Sequence, residues 1–309
     1  MEHIITGLLF AGLLFGCSSG CSLPNYLIGD WESSDVGTLT FNDTAFGPYT
    51  VGSFGDYYFE CYSQLEQNTL SGPRKPKYIL TADQYFYLCL DLRYQSNNKY
   101  IYYLHTSQEN AASNQRVKIV QASTTPSGIC DDIRPEHTYF MLLKVGTESS
   151  EKVVCPSWFL TSFNYTATGS TCPSTSGTTC NDNAIVSYNT TLCNLPLLLS
   201  QEGSLGCMYH KSIGSTNYLT LYNYDTVPIY KFVCMVSNTT GSIIQATREP
   251  NVCGDSQTPV GSIQLELEIL NTCPIVTTTL APVKNSAHRV PSAISLLACL
   301  ACLAMTRRY

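Results

Sequence analysis

Residues 84–106 read QYFYLCLDLRYQSNNKYIYYLHT. In the first ten, Phe86, Leu88, Leu90 and Leu92 alternate with Tyr85, Tyr87, Cys89 and Asp91. Period-two alternation puts these sets on opposite faces of a strand. Ser96-Asn97-Asn98 is turn chemistry, and a second run follows in which Tyr100, Tyr102 and Leu104 alternate with Ile101, Tyr103 and His105. Two strands joined by so short a turn must run antiparallel. Phe86, Leu88, Leu90 and Leu92 form a core face. Both faces of 99–106 are partly apolar, which fits either a barrel with a lined cavity or a strand whose outer face a partner domain covers. Tyrosine suits both, because its ring is apolar and its hydroxyl can reach water or a ligand.

Working outward, the first half contains strands at 27–33, 36–42, 56–66, 76–82, 84–93, 99–106, 116–122 and 136–145. Ser34-Asp35 and Ala82-Asp83 are further short joints. About eight strands in a meander either close into an up-and-down barrel or split into a sandwich. The fold class is mostly β: two tandem, disulfide-stapled antiparallel β-meander domains, barrel-like or alternatively sandwich. Twenty-one tyrosines and few helical periods support it.

The tandem arrangement follows from an internal repeat. CYSQ at 61 and FYLCLDL around Cys89 answer to CMYHK at 207 and YKFVCMV around Cys234. Between them, Lys77-Tyr78-Ile79-Leu80-Thr81 aligns with Asn217-Tyr218-Leu219-Thr220-Leu221. Cys130 and Cys253 close the halves. Cys21-Ser-Leu-Pro-Asn-Tyr-Leu opens the first, and Cys155-Pro-Ser-Trp-Phe-Leu the second. The domains are expected at 21–146 and 147–275.

The ends of the chain point to the secretory pathway. Residues 4–15 are almost wholly apolar and small residues follow, the pattern of a signal peptide over 1–20, although its n-region has only His3 and an opposing Glu2. Residues 276–292 form a polar, Thr- and Pro-bearing stalk, and 293–309 hold an apolar run ending in Arg307-Arg308-Tyr309. At about 1.5 Å per residue the run covers roughly 20 Å against a hydrocarbon core of about 30 Å. It suits the tail of a glycolipid (GPI) attachment signal, with Asn285 as the lipidated residue. The paired arginines support the alternative of a single-pass helix, and free secretion is the third option. All three leave the body outside the cell, with the extracellular face of the plasma membrane as the expected location.

Of fifteen cysteines, Cys17 leaves with the signal, and Cys299 and Cys302 sit in the tail. The other twelve are Cys21, Cys61, Cys89, Cys130, Cys155, Cys172, Cys180, Cys193, Cys207, Cys234, Cys253 and Cys273. An even number in an oxidising compartment reads as six disulfides. Cysteines shared by the two halves should pair alike. The expected pairs are Cys61–Cys89 with Cys207–Cys234, Cys21–Cys130 with Cys155–Cys253, and then Cys172–Cys180 and Cys193–Cys273. No metal site is expected, since the ectodomain has no C-x-x-C pair and no H-x-x-x-H partner. N-glycosylation sequons stand at Asn42, Asn164, Asn189 and Asn238 and imply solvent-facing positions.

Charged residues make up 13% of the chain and the net charge is −6. The absence of a basic stripe argues against nucleic acid. There is no Gly-x-Ser-x-Gly elbow and no glycine-rich phosphate loop. His105, His137, His210 and His288 read as surface or strand residues. Asp131-Asp132 reads as a solvated turn, with calcium as the alternative. Glu266 and Glu268 share the wet face of a half-buried strand, Ser262–Leu270, opposite Ile263, Leu265, Leu267 and Ile269. No cofactor and no enzymatic activity are expected.

Two resemblances bear on this. Leu27-Ile28-Gly29-Asp30-Trp31, followed by Thr38-Leu39-Thr40-Phe41, resembles the start of a lipocalin or fatty-acid-binding barrel, which implies that Trp31 closes a barrel floor. No later lipocalin signature follows, and the second half has Phe163 or Tyr165 in place of the tryptophan. The longer pattern, Cys-x-x-Pro-x-x-Leu-x-Gly-x-Trp with two cysteine frames and a tethering tail, resembles animal cell-surface proteins built from uncharacterised cysteine-rich extracellular domains. The tether, the sequons and the two β domains lead to the expectation of a glycoprotein of extracellular recognition or adhesion with a protein partner. A lipocalin-like carrier or sensor of a small apolar ligand is the alternative.

Overall fold

The computed structural model describes residues 21–65, 77–83, 85–120, 127–168, 175–190, 198–261 and 264–274. The signal segment, Asn285 and the tail lie outside these, as do Cys172, Cys193 and Ile263. The first half holds β1 (Gly29–Ser33), β2 (Gly37–Phe41), β3 (Ala45–Val51), β4 (Gly55–Leu65), β5 (Lys77–Ala82), β6 (Phe86–Ser96), β7 (Lys99–Leu104), β8 (Lys118–Ile119) and β9 (Phe140–Lys144). Neighbours pair antiparallel from β1 through β7, and β9 closes the ring between β7 and β1. The short β8 sits outside the ring, against the start of β6. The second half holds β10 (Thr161–Ala167), β11 (Thr175–Asp182), β12 (Ile185–Tyr188), β13 (Ser204–Ile213), β14 (Thr216–Asn223), β15 (Phe232–Thr240), β16 (Ile243–Pro250) and β17 (Gln264–Thr272). They close in simple sequence order. Both halves are therefore closed eight-stranded antiparallel barrels, and the sandwich alternative falls away.

Three sequence expectations need correction. The first strand, expected from 27, begins only at Gly29: Leu27 closes a 3-10 turn, Asn25–Leu27, which follows Pro24. Of the expected 116–122 strand, the described residues 116–120 form only the two residues of β8, and 121–122 lie outside them. A strand was missed at 45–51, where Gly47-Pro48 argues against one. Pro48 falls in the register shift between Phe46 and Tyr49, where the ladder to β4 is interrupted and its missing N–H costs little. Gly47 is required there, because a Cβ would lie 2.8 Å from the Tyr57 carbonyl oxygen.

The first barrel is filled. Trp31, Phe59, Leu80, Leu88 and Tyr100 are almost wholly buried in one cluster with Phe86, Leu90, Tyr102 and Leu104. The space left among Leu39, Phe46, Leu90, Tyr102 and Leu142 is about 10 Å³, room for a single water at most. Trp31 plugs the end of the barrel that begins with the 3-10 turn. Its Nε1 donates to the Leu27 carbonyl at 2.6 Å, and its ring meets Tyr100 edge-on at 5.5 Å.

The second barrel repeats the arrangement. Its 3-10 turn, Ser157–Phe159, follows Pro156. Phe163 stands four residues beyond Phe159, as Trp31 stands four beyond Leu27, and all four are fully buried. Phe163, not Tyr165, thus occupies the tryptophan's place.

The two apolar faces of residues 99–106 now have separate explanations. Tyr100, Tyr102 and Leu104 point into the first barrel. Ile101 and Tyr103 point outward and join Tyr139, Met141 and Leu143 against Met208 and Phe232 of the second barrel. A domain partner covers the outer face, and that partner is the chain's own second half. Each such buried side chain contributes about 1.5–3 kcal/mol. Tyr139 adds a hydrogen bond to Thr220 Oγ1 at 2.9 Å and an edge-on contact with Tyr209 at 4.8 Å. Lys231 pairs with the buried Glu32 at 2.6 Å. The connecting residues are tied as well: Glu151 accepts from Ser96 and Asn98, and the Val153 N–H donates to the Cys207 carbonyl at 2.7 Å.

Candidate functional site

The pairing of the cysteines differs from every pair expected. Among the described residues the bonds are Cys21–Cys61, Cys89–Cys130, Cys155–Cys207, Cys234–Cys253 and Cys180–Cys273. The shared cysteines do pair alike, first with second and third with fourth in each half. The expected Cys61–Cys89 bond fails because the two residues face opposite sides of the barrel wall: Cys61 packs against the interior cluster, whereas Cys89 lies in an outer cluster with Tyr87, Ile129 and Cys130. Cys21–Cys61 instead ties the segment before the first strand to β4. Cys89–Cys130 ties β6 to the loop before β9. Cys180–Cys273 displaces the pairs proposed for Cys180 and Cys273, linking β11 and the end of β17 on either side of β10. Five disulfides mark a protein that folds in an oxidising, secretory or extracellular environment. Among the described residues no helix is long and apolar enough to cross a membrane.

Of the sequon asparagines, Asn42 and Asn189 are exposed, while Asn164 and Asn238 are half-buried. Asn42 Oδ1 accepts from the backbone N–H of Thr44 and Ala45, which shapes the turn into β3. Glu266 and Glu268 are exposed on β17 while Leu265 and Leu267 are buried, the half-buried strand expected. Among the described residues no three His, Cys, Asp or Glu side chains gather as metal ligands.

The histidines diverge. His210 is exposed, and His288 lies outside the described residues. His137 stacks on Tyr218 across the barrel–barrel contact. His105 is not a surface residue: it is 5% exposed, with Nε2 3.3 Å from Asp91 Oδ2 and Nδ1 2.9 Å from the Asp132 carbonyl. Burial pushes the Asp91 carboxyl up, but His105 and Arg93 outweigh it and hold it below its ordinary range.

The most developed site was not foreseen. The connection between β7 and β9, residues 105–139, is a long excursion, and its described parts, 105–120 and 127–139, cross the first barrel's rim. It holds a 3-10 turn, Asn110–Ala112, and docks through Gln115, whose Oε1 accepts from the Gly52 N–H at 2.6 Å and whose Nε2 donates to the Thr50 carbonyl at 2.9 Å. Gly52 has φ +48°, and a Cβ there would meet the Ala112 backbone at 2.8 Å, so the crossing needs glycine. Beneath the excursion a cleft of about 430 Å³ opens, lined by Asp35, Tyr49, Leu104, Gln108, Arg116, Arg134, Thr138 and Phe140, and by Val252–Asp255 of the second barrel. That volume is in the range of small-molecule sites.

Its charges are arranged. Arg116 donates to the Thr106 carbonyl at 3.1 Å and to the Asp132 carboxylate, and lies 3.6 Å from Asp255. Arg134 donates to Asp255 and lies 3.8 Å from Asp132. Asp131-Asp132 is thus not merely a solvated turn. Asp132 braces both guanidinium groups, and Asp131 accepts from the Ser107 N–H and hydroxyl. The hydrogen bond from Arg134 holds the Asp255 carboxyl below its ordinary range despite some burial.

Asp35 stands apart. It lies in the β1–β2 turn, where its N–H donates to Ser33 Oγ at 3.0 Å. Burial pushes its carboxyl up to about 6, against a hydrogen bond from Tyr49 and the field of Arg116. Among the described residues it has no ion-pair partner. No family model, curated protein or solved structure matches the chain.

Proposed function

We propose that the chain is a non-enzymatic, glycosylated cell-surface protein that acts in extracellular recognition or adhesion, held to the membrane by its C-terminal segment. The observation that carries this is the packed interior of the first barrel, where about 10 Å³ remains. A barrel with no room for an apolar guest works through its outside. Exposed Tyr58 and Tyr62 on β4, the latter edge-on to Tyr87 at 5.8 Å, supply aromatic surface of the kind enriched at protein contacts. The five disulfides suit a module that must keep its shape outside the cell.

The full chain, displayed on suspension cells, is expected to mediate saturable binding to a second cell population. Phosphoinositide-specific phospholipase is expected to abolish that binding by releasing the chain. Absence of binding to any cell type, together with a lipid extracted from the purified protein, would instead favour the carrier.

A further inference from the structure

We propose that the cleft beneath the 105–139 excursion binds a small organic cation, a protonated amine on an aromatic or aliphatic body, with Asp35 as its counter-ion. The inference stands on this cleft and goes beyond the recognition role. Three carboxylates, Asp35, Asp132 and Asp255, meet two guanidinium groups. Both guanidinium groups are spent on Asp132 and Asp255. The residual negative charge sits on Asp35, at the wall of a cavity of about 430 Å³. The Tyr49 hydroxyl satisfies part of that carboxylate, which leaves acceptor capacity for an ammonium group.

The walls suit such a guest. Tyr49 and Phe140 line the cleft with aromatic side chains, and Leu104 and Val252 line it with aliphatic ones, a setting for the body of such a guest. An anion would face Asp35 with no free guanidinium to receive it. A neutral apolar guest would leave the Asp35 charge unpaired and desolvated, at a cost. The cleft therefore selects for positive charge, unlike the lipid-carrying interior suggested by the Gly-x-Trp start.

The test is calorimetric titration of the purified full-length protein with phenethylammonium, its neutral analogue 2-phenylethanol and the anion phenylacetate. At about pH 7.5 the amine is expected to bind about tenfold or more tightly than either analogue. With the Asp35 carboxyl titrating at about 6, affinity is expected to fall about tenfold by about pH 5. Asp35→Asn is expected to remove the preference for the amine. Should that variant fail to fold, Gln108→Lys at the exposed rim places a like charge beside the guest and is expected to weaken the amine alone. Equal binding of amine and alcohol would overturn the proposal. So would affinity indifferent to both pH and Gln108→Lys, or no amine binding at millimolar concentration.

Discussion

The two barrels share a plan and differ in how they are secured. In each, a cysteine before the first strand bonds to the fourth strand, and a cysteine on the sixth bonds to the loop before the last. In each, a bulge follows the fourth-strand cysteine, after Cys61 and after Cys207. The first barrel spends tryptophan on its floor and a long excursion on its rim. The second uses phenylalanine and a third described disulfide. A closed antiparallel ring thus tolerates exchange of its plug and staples, provided the floor stays filled and no strand edge is left open.

The largest test of this comparison is at the floor. Trp31→Ala should cost about 4–5 kcal/mol in denaturant unfolding, because it removes a fully buried ring, its contact with Tyr100 and the hydrogen bond to Leu27. Phe163→Ala should cost about 3–4 kcal/mol, since its ring stacks on Phe159 without a polar bond. Equal costs would mean that Trp31 is no more than a spacer.

Next come the staples. Cys89–Cys130 closes 41 residues and Cys234–Cys253 closes 19. On loop entropy alone, replacing each pair by serine should cost about 4 and about 3 kcal/mol respectively. A second-barrel loss larger than the first would show that native contacts, not chain entropy, set the difference.

The smallest effect, and the most diagnostic, is at the cleft, where one carboxyl from each barrel titrates in the opposite sense. Asp35 has a raised pKa, so its contribution is fully present below the ordinary carboxylate range and is lost as pH rises through about 6. The change is at most about 3 kcal/mol, less the screening by water in the cleft. Asp255 is held low, so its contribution is present above the ordinary range and is lost as pH falls through its lowered value. Its carboxylate is 56% exposed, and an exposed ion pair contributes under about 1 kcal/mol. Melting curves from about pH 3 to 8 should therefore flatten at opposite ends in Asp35→Asn and Asp255→Asn. The same end flattening in both would merge the two carboxyls into one coupled site.

Alternation and short turns made the meander legible in the sequence. They missed β3 because Gly47-Pro48 reads as a break, whereas the bulge absorbs it. The repeat was legible, but its register was off by one. Leu80 faces Cys61 and Leu221 faces Cys207, so Leu80 answers to Leu221 and not to Thr220. The nearly equal cysteine spacing arises from unequal parts: a longer β4–β5 connection in the first half and a longer β5–β6-type connection in the second. Disulfide partners were illegible because closure of the ring, not spacing along the chain, decides which strands meet. The cleft was illegible for a related reason. Asp35, Arg116, Arg134 and Asp255 are distant in sequence, and Asp35 alone reads as an ordinary turn residue. The available signal was length, since the 105–139 connection is far longer than a meander needs.

The cover that Met208 and Phe232 give to Ile101, Tyr103, Met141 and Leu143 has an evolutionary consequence. Because each barrel seals part of the other's wall, neither can be excised, shuffled into another gene or reused alone without exposing that wall to water. The two barrels are thus one heritable unit, and selection must keep or discard both.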